Sequence, residues 1–67
     1  MQIVINGQPH EFEENLSIEK ILLELQIHQD SGVAVALNRT VLSKSRFAAT
    51  TITDGDQIEI IHATAGG

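Results

Sequence analysis

The chain opens with MQIVINGQPHEFEE (residues 1–14), in which two strand-like runs flank an Asn-Gly pair. In the first six residues every second side chain is apolar, which is the period of a β-strand with one buried face. Asn6-Gly7 is a strong hairpin signal because both residues tolerate the positive φ angles of a two-residue turn. The pattern predicts a first strand, a tight turn, and a polar second strand from Gln8 to Glu14 with Phe12 as its apolar anchor.

The next segment carries the pattern of one amphipathic helix. Ser17 suits the N-cap, since its hydroxyl can accept a hydrogen bond from the first helical turn. Apolar residues then recur at i, i+3, i+4 and i+7, which places them on one face of a helix: Ile18, Ile21, Leu22 and Leu25. We expect the helix to end near Ile27 and a turn to follow at residues 30–32.

The second half of the chain predicts two clear strands with a less regular segment between them. Residues 33–38, VAVALN, form a nearly continuous apolar run that is typical of a buried strand. Residues 54–56, DGD, predict a turn that leads into a last strand over residues 57–61. Residues 39–53 should form a short strand and irregular turns that fill the core with four side chains: Val41, Leu42, Phe47 and Ile52.

These elements predict a single α+β domain over residues 1–62, followed by a flexible tail over residues 63–67. We expect a mixed sheet of four to five strands with one packed helix. The open face of the sheet, formed by strands 33–38 and 57–62, should carry an apolar patch with Arg39 and Glu59 at its rim.

Composition excludes several functional classes. The net charge of −5 lies wholly in residues 1–30, where six acidic residues face Lys20 alone. Such a surface repels phosphate backbones, so we expect no nucleic-acid binding, and its charge would either steer a basic partner or simply be solvated. The N-terminal strand lacks the pattern of a signal peptide or membrane anchor, which predicts a cytoplasmic protein that does not bind membranes. The absence of cysteine excludes disulfides and cysteine-ligated zinc.

Internal residues offer no catalytic or metal-binding constellation. His10, His28 and His62 lack the spacing of metal ligands, and the carboxylates at residues 54 and 56 lack the further oxygen ligands of a calcium loop. We therefore predict no metal site and no catalytic residue inside the domain.

The residues after the last strand are different in kind. Only small side chains follow, and the sequence closes on Thr64-Ala65-Gly66-Gly67. Because glycine has no side chain, such a tail can thread a narrow channel and leaves its carboxylate unhindered. Transfer of AMP to that carboxylate would give a mixed anhydride, which persulfide sulfur could convert to a thiocarboxylate. Taken alone, a Gly-Gly end is also compatible with a frayed terminus without function.

In order and spacing these segments resemble the ThiS family, the sulfur carriers of thiamine biosynthesis. The similarity covers essentially the whole chain. It rests on five segments: Asn6-Gly7 after the opening strand, Leu16-Ser17-Ile18 with Ile21-Leu22, residues 33–38, residues 54–60, and Gly66-Gly67. Two positions depart from the family pattern, since Ala36 often is acidic in the family and Ala65 often is a third glycine.

The resemblance implies a ubiquitin-like β-grasp, with the first and last strands parallel at the centre of the sheet. It implies a carrier that is not itself an enzyme, binds no cofactor and is monomeric when free. An E1-like adenylyltransferase would use ATP and magnesium to adenylate Gly67, and a cysteine desulfurase pathway would supply the sulfur. The resulting thiocarboxylate, a 1-thioglycine, would serve thiazole synthase, while Thr64, Ala65 and Gly66 thread the channels of these partners.

Three other functions stay open. The sulfur carrier of molybdopterin synthesis shares the fold, the Asp-Gly-Asp turn and the Gly-Gly end, although the short chain and the Asn-Gly hairpin favour thiamine. A ubiquitin-like modifier would form isopeptide bonds with lysines of target proteins. A plain β-grasp interaction domain would have an incidental tail.

Overall fold

The computed structural model describes residues 1–13, 16–28 and 32–62, and these residues form one sheet with one helix packed on it. The elements are, in chain order, β1 (Gln2–Ile5), β2 (Gln8–Glu11), α1 (Ile18–Glu24), β3 (Val33–Leu37), β4 (Thr40–Leu42), a 3₁₀ turn (Lys44–Arg46) and β5 (Gln57–His62). The strand order is β2-β1-β5-β3-β4. β1 and β5 are parallel, whereas the other neighbours are antiparallel. The predicted α+β class, the mixed sheet and the central parallel pair are confirmed.

The first hairpin forms at the predicted turn, but its second strand is shorter than expected. Asn6 and Gly7 have φ angles of 51° and 82°, so both adopt the left-handed conformation that a two-residue hairpin turn requires. β2 ends at Glu11, and the predicted end at Glu14 lies outside the described residues. Phe12 still pairs with Met1, whose carbonyl accepts from the Phe12 N–H at 2.9 Å.

Helix α1 begins as predicted and ends earlier than predicted. Ser17 is the N-cap, and its Oγ accepts a hydrogen bond from the Lys20 N–H at 3.2 Å. The helix ends at Glu24 because Gln26 adopts a left-handed conformation with φ 60°. The Ile27 N–H then donates to the Leu22 carbonyl at 2.9 Å, which is the bond that closes a Schellman motif. The expected end near Ile27 is therefore wrong, since Gln26 takes the place where glycine is usual.

One apolar core lies between α1 and one face of the sheet. It contains ten buried side chains: Ile3, Ile5, Ile18, Ile21, Leu22, Val35, Phe47, Ile52, Ile58 and Ile60. Phe47 and Ile52 fill the core as predicted, and Leu42 packs against it while half-buried. The expectation for Val41 is wrong, because Val41 pairs with Ala36 on the opposite face of the sheet and is 74% exposed. In the part of the chain that the structure describes, no helix is long and apolar enough to cross a membrane.

Candidate functional site

The predicted site residues follow directly on β5, the central strand. Thr64, Ala65, Gly66 and Gly67 lie outside the described residues, so their placement stays a prediction. The structure does describe the strand that leads to them. Ile60 is its last buried residue, with 8% exposure, and Ile61 and His62 follow on an exposed strand end. The described part of the candidate site is therefore the end of β5 and the contacts that hold this strand.

β5 is held on both sides by backbone pairing along most of its length. On the β3 side the antiparallel register runs from Leu37 opposite Ile58 to Val33 opposite His62. On the β1 side the Val4 N–H donates to the Asp56 carbonyl at 3.0 Å, and the Asn6 N–H donates to the Ile58 carbonyl at 2.9 Å. β1 then turns back as a hairpin. The last residues of β5 therefore keep a strand neighbour only on the β3 side.

The Asn6 side chain fills the position that β1 vacates. Its Oδ1 accepts a hydrogen bond from the Ile60 N–H at 2.8 Å, and its Nδ2 donates to the Ile60 carbonyl at 3.2 Å. We call this pair of hydrogen bonds the Asn6 clamp. From the sequence Asn6 was expected only in a turn, and this contact was not predicted. Asparagine carries both a donor and an acceptor on a short side chain, but its partner here depends on the parallel pairing of β1 with β5.

At its other end β5 starts from a turn with a dense hydrogen-bond network. The predicted turn at Asp54-Gly55 is confirmed, and Asp54 Oδ1 accepts a hydrogen bond from the Gln2 N–H at 2.6 Å. The Asp56 carboxylate accepts hydrogen bonds from the Thr53 N–H at 2.9 Å and from Asn38 Nδ2 at 3.0 Å. These contacts make the two carboxylates part of the turn.

The Asp56 carboxyl titrates below its ordinary range. Burial opposes its ionisation, but hydrogen bonds from the Thr53 N–H, the Asn38 amide and the Thr53 hydroxyl outweigh burial, so the pKa of Asp56 is lowered. The carboxylate is thus the form that the folded turn prefers. This feature stabilises the start of β5 and lies at the opposite end of the strand from the predicted tail.

The face of the sheet that α1 leaves uncovered carries apolar side chains. Ile61, 62% exposed, lies opposite Ala34, and Val41 lies opposite Ala36. The two alanines between the larger side chains make a shallow apolar strip, which we call the open-face strip: Ala34, Ala36, Val41 and Ile61. Glu59 also lies opposite Ala36, and Glu59 and Arg39 are both exposed and line one shallow groove on this face. The predicted patch is present in part, since Ala34, Ala36 and Ile61 belong to the two expected strands whereas Val41 of β4 was not expected there.

The histidines do not form a metal site within the described ranges. His10 and His62 line one groove beside Leu25 and Ile27, and His10 stacks on Phe12 with ring centroids 6.1 Å apart. Among residues 1–13, 16–28 and 32–62, no group of three or more possible ligands is close enough to hold a metal ion. The candidate site consists of the end of β5 together with the open-face strip.

A five-stranded mixed sheet with a central parallel pair and one helix packed across it is a ubiquitin-like β-grasp, as the resemblance implied. The chain belongs to the ThiS family, since the model of that family matches residues 3–67. A crystal structure of the thiamine biosynthesis protein ThiS from Geobacter metallireducens superposes with a TM-score of 0.85, at 36% identity and over 100% of both chains.

Two curated relatives add further information. The sulfur carrier protein ThiS of Escherichia coli is 31% identical over 67 residues, which are 100% of both chains. A thiazole synthase of Magnetococcus marinus is 36% identical over the 67 residues of this chain. That protein is much longer, and this chain spans 20% of its length. The chain thus resembles both a free-standing carrier and one part of a longer enzyme.

Proposed function

We propose that this chain is a sulfur carrier of thiamine biosynthesis and that its reactive group is the carboxylate of Gly67. The observation that carries the proposal is the extent of the family match, which continues to residue 67 and so includes Gly66-Gly67. The full-length similarity to the E. coli sulfur carrier protein supports it. The carrier is a co-substrate of its partner enzymes, which bind it through the folded domain.

The chemistry requires a partner that activates an unreactive carboxylate. In the proposed first step a carboxylate oxygen of Gly67 attacks the α-phosphorus of ATP, and magnesium-bound pyrophosphate leaves. A persulfide sulfur supplied by a cysteine desulfurase pathway then attacks the acyl carbon, and AMP leaves. A thiol cleaves the resulting acyl disulfide and releases the thiocarboxylate. The first two steps need a pocket that excludes water and aligns the reacting atoms, which an E1-like adenylyltransferase would provide.

The open-face strip is the proposed docking surface for the adenylyltransferase. Val41 and Ile61 expose apolar area that docking would remove from water, and the alanines between them allow close approach. Arg39 and Glu59 would then form polar contacts at the rim, where opposite charges on the partner select the correct orientation. A surface of this kind binds the domain, while Thr64, Ala65 and Gly66 enter the channel that leads to the nucleotide.

Thiazole synthase is the proposed acceptor of the sulfur. A segment similar to the whole of this chain forms part of the Magnetococcus marinus thiazole synthase, so a carrier-like domain and a thiazole synthase occur together in one protein. We propose that this chain works as a monomer in the cytoplasm, where its partners would hold ATP and reduced sulfur.

The intact mass of the protein isolated from cells with its native pathway tests the proposal. Exchange of one terminal oxygen for sulfur should raise the mass by about 16 Da, and fragmentation should place the change on Gly67. A mass that shows residues beyond Gly67, or an unchanged mass, would contradict the proposal. An adduct with lysines of other proteins would identify a modifier, and sulfur transfer to molybdopterin synthase but not to thiazole synthase would identify the other pathway.

Variants of the last two residues test whether the carboxylate of Gly67 is the reactive group. A one-residue extension after Gly67 would move the carboxylate by about 3.3–3.6 Å if extended, and Gly66→Val and Gly67→Val would add bulk within the channel. We expect each change to abolish ATP–pyrophosphate exchange with the adenylyltransferase while circular dichroism shows an intact fold. Glu13→Gln is the control, because this exposed residue lies outside the proposed surface. Normal exchange by the extended protein would exclude Gly67 as the acyl group.

A further inference from the structure

We propose that Asn6 is a positioning residue for the tail. Its side-chain amide replaces a missing strand residue beside Ile60 and fixes the direction in which β5 leads to residues 63–67. The inference rests on the proposed function only where it concerns partner enzymes. The clamp itself is a property of the free domain.

The geometry shows that the amide continues the parallel ladder. Alternate residues of β5 turn their main-chain groups towards β1, and the carbonyls of Asp56 and Ile58 accept from the main-chain N–H groups of Val4 and Asn6. The next position in this series is Ile60. Because β1 reverses at the hairpin, Ile60 is bonded there by Asn6 Oδ1 and Nδ2. One side chain thus supplies both the acceptor and the donor that a longer β1 would have supplied.

Asparagine meets both demands of this position, whereas aspartate and glycine do not. The residue has a φ angle of 51°, which asparagine tolerates better than most other residues with a side chain. Aspartate would keep the turn but lose the donor, and its carboxylate would face the Ile60 carbonyl. Glycine would keep the backbone conformation and lose both hydrogen bonds. These two substitutions therefore separate the clamp from the turn.

The clamp lies at the point where the core ends. Ile60 is the last buried residue of β5, and Ile61 and His62 pair only with β3. Without the clamp the end of β5 would be held from one side, and it would fray more often. A partner that grips the tail would then have to order more residues, which weakens binding.

Hydrogen exchange in the free protein tests the clamp without any partner. In Asn6→Gly, the Ile60 amide should exchange about tenfold faster than in the unmodified protein, relative to the Ala36 amide in the neighbouring strand. Asn6→Asp keeps an acceptor for this N–H and should show a smaller increase. Asn38→Gly is the matched control for Asn6→Gly, since Asn38 also lies in a two-residue hairpin with φ 49° and contacts the opposite end of β5. It makes the same truncation and should leave the Ile60 ratio unchanged. An unchanged ratio in Asn6→Gly would overturn the clamp.

ATP–pyrophosphate exchange with the adenylyltransferase tests the positioning role. The Asn6 variants should raise the KM for the carrier by about fivefold or more at nearly constant kcat, because binding needs a more ordered tail. Asn38→Gly should keep the original KM. Equal KM values for all variants would refute positioning. If the unmodified protein shows no exchange at all, the proposed function fails, whereas the hydrogen-exchange result still decides the clamp.

Discussion

The two ends of β5 are fastened by the same kind of residue in different surroundings. Asn38 and Asn6 each lie in a two-residue hairpin turn with a positive φ angle, and each contacts the main chain of β5 with its side chain. At the start of the strand Asn38 also donates to Asp56, and Asp54 accepts a hydrogen bond from the main-chain N–H of Gln2. At the end, among the described residues, Asn6 is the one side chain that bonds to the β5 main chain, in addition to the backbone pairing with β3. The start is thus held by more side-chain hydrogen bonds than the end, which lies beside the predicted tail.

The largest expected loss of stability comes from a change in the core, which should weaken both ends of β5 together. Leu22 is fully buried beneath it, so Leu22→Ala should lower the free energy of unfolding by about 2–5 kcal/mol. That loss threatens a domain of this size, whose total stability is small. Urea unfolding followed by circular dichroism measures it. A loss below about 1 kcal/mol would show that the core repacks around the missing side chain.

The next effect compares the two ends directly. Asp56→Ala deprives three donors of their acceptor and should lower the free energy of unfolding by about 2 kcal/mol. Asn6→Gly removes two hydrogen bonds at an exposed site and should cost about 1 kcal/mol. Urea unfolding of both variants under one condition gives the comparison. The reverse order would mean that the end of β5, and not its start, contributes more to stability.

Low pH should weaken the contacts at the start of β5, which include a carboxylate, but not the neutral Asn6 clamp at its end. The folded state lowers the pKa of Asp56, so the stability that this carboxylate contributes is present above its ordinary pKa of 3.8 and is lost as the pH falls through the lowered value. The Asn6 clamp is neutral and should not respond. Unfolding free energies at pH 7 and pH 3 should therefore fall less for Asp56→Asn than for the unmodified protein. An equal fall for both would assign the acid sensitivity to other carboxylates.

The smallest effect concerns the second residue of each hairpin. Gly7 and Arg39 have similar φ angles of 82° and 72°, but only glycine adopts them without strain. Arg39→Gly should therefore raise the free energy of unfolding by about 0.5 kcal/mol, since relief of strain exceeds the added entropy of the unfolded chain. Gly7→Arg is the converse and should lower it by about 1 kcal/mol. A destabilising Arg39→Gly would reveal a folded-state contact of the arginine.

Local features of the fold could be predicted from the sequence. The Asn6-Gly7 turn, the Ser17 cap and the Asp54-Gly55 turn each depend on a few neighbouring residues, and each was found where expected. The end of α1 was misplaced because Gln26 adopts a left-handed conformation without the glycine that usually announces it. Val41 was misassigned because the hairpin turn at Asn38-Arg39 was not predicted, since arginine is unusual at a positive φ angle. That turn sets the register of β4 and so the face on which Val41 lies.

The candidate site could be predicted only in part. Strand periodicity predicted the part of the open-face strip that lies on β3 and β5, but Val41 was expected in the core. The Asn6 clamp joins residues 54 positions apart in the sequence. No local pattern announces such a contact, because it depends on the parallel pairing of β1 with β5. The family resemblance named Gly67 as the reactive residue, and that assignment stays a prediction for the mass measurement.

The central place of β5 has a consequence for how the protein is made. β5 pairs with β1 and β3, so before it is synthesised the chain holds two hairpins and a helix without the strand that joins them. The ribosome must therefore extend the chain through residue 62 before the sheet can close. A chain that stops short of β5 exposes its apolar side chains and is open to proteolysis. Only chains that include β5 can therefore form the complete sheet, and shorter chains should be degraded.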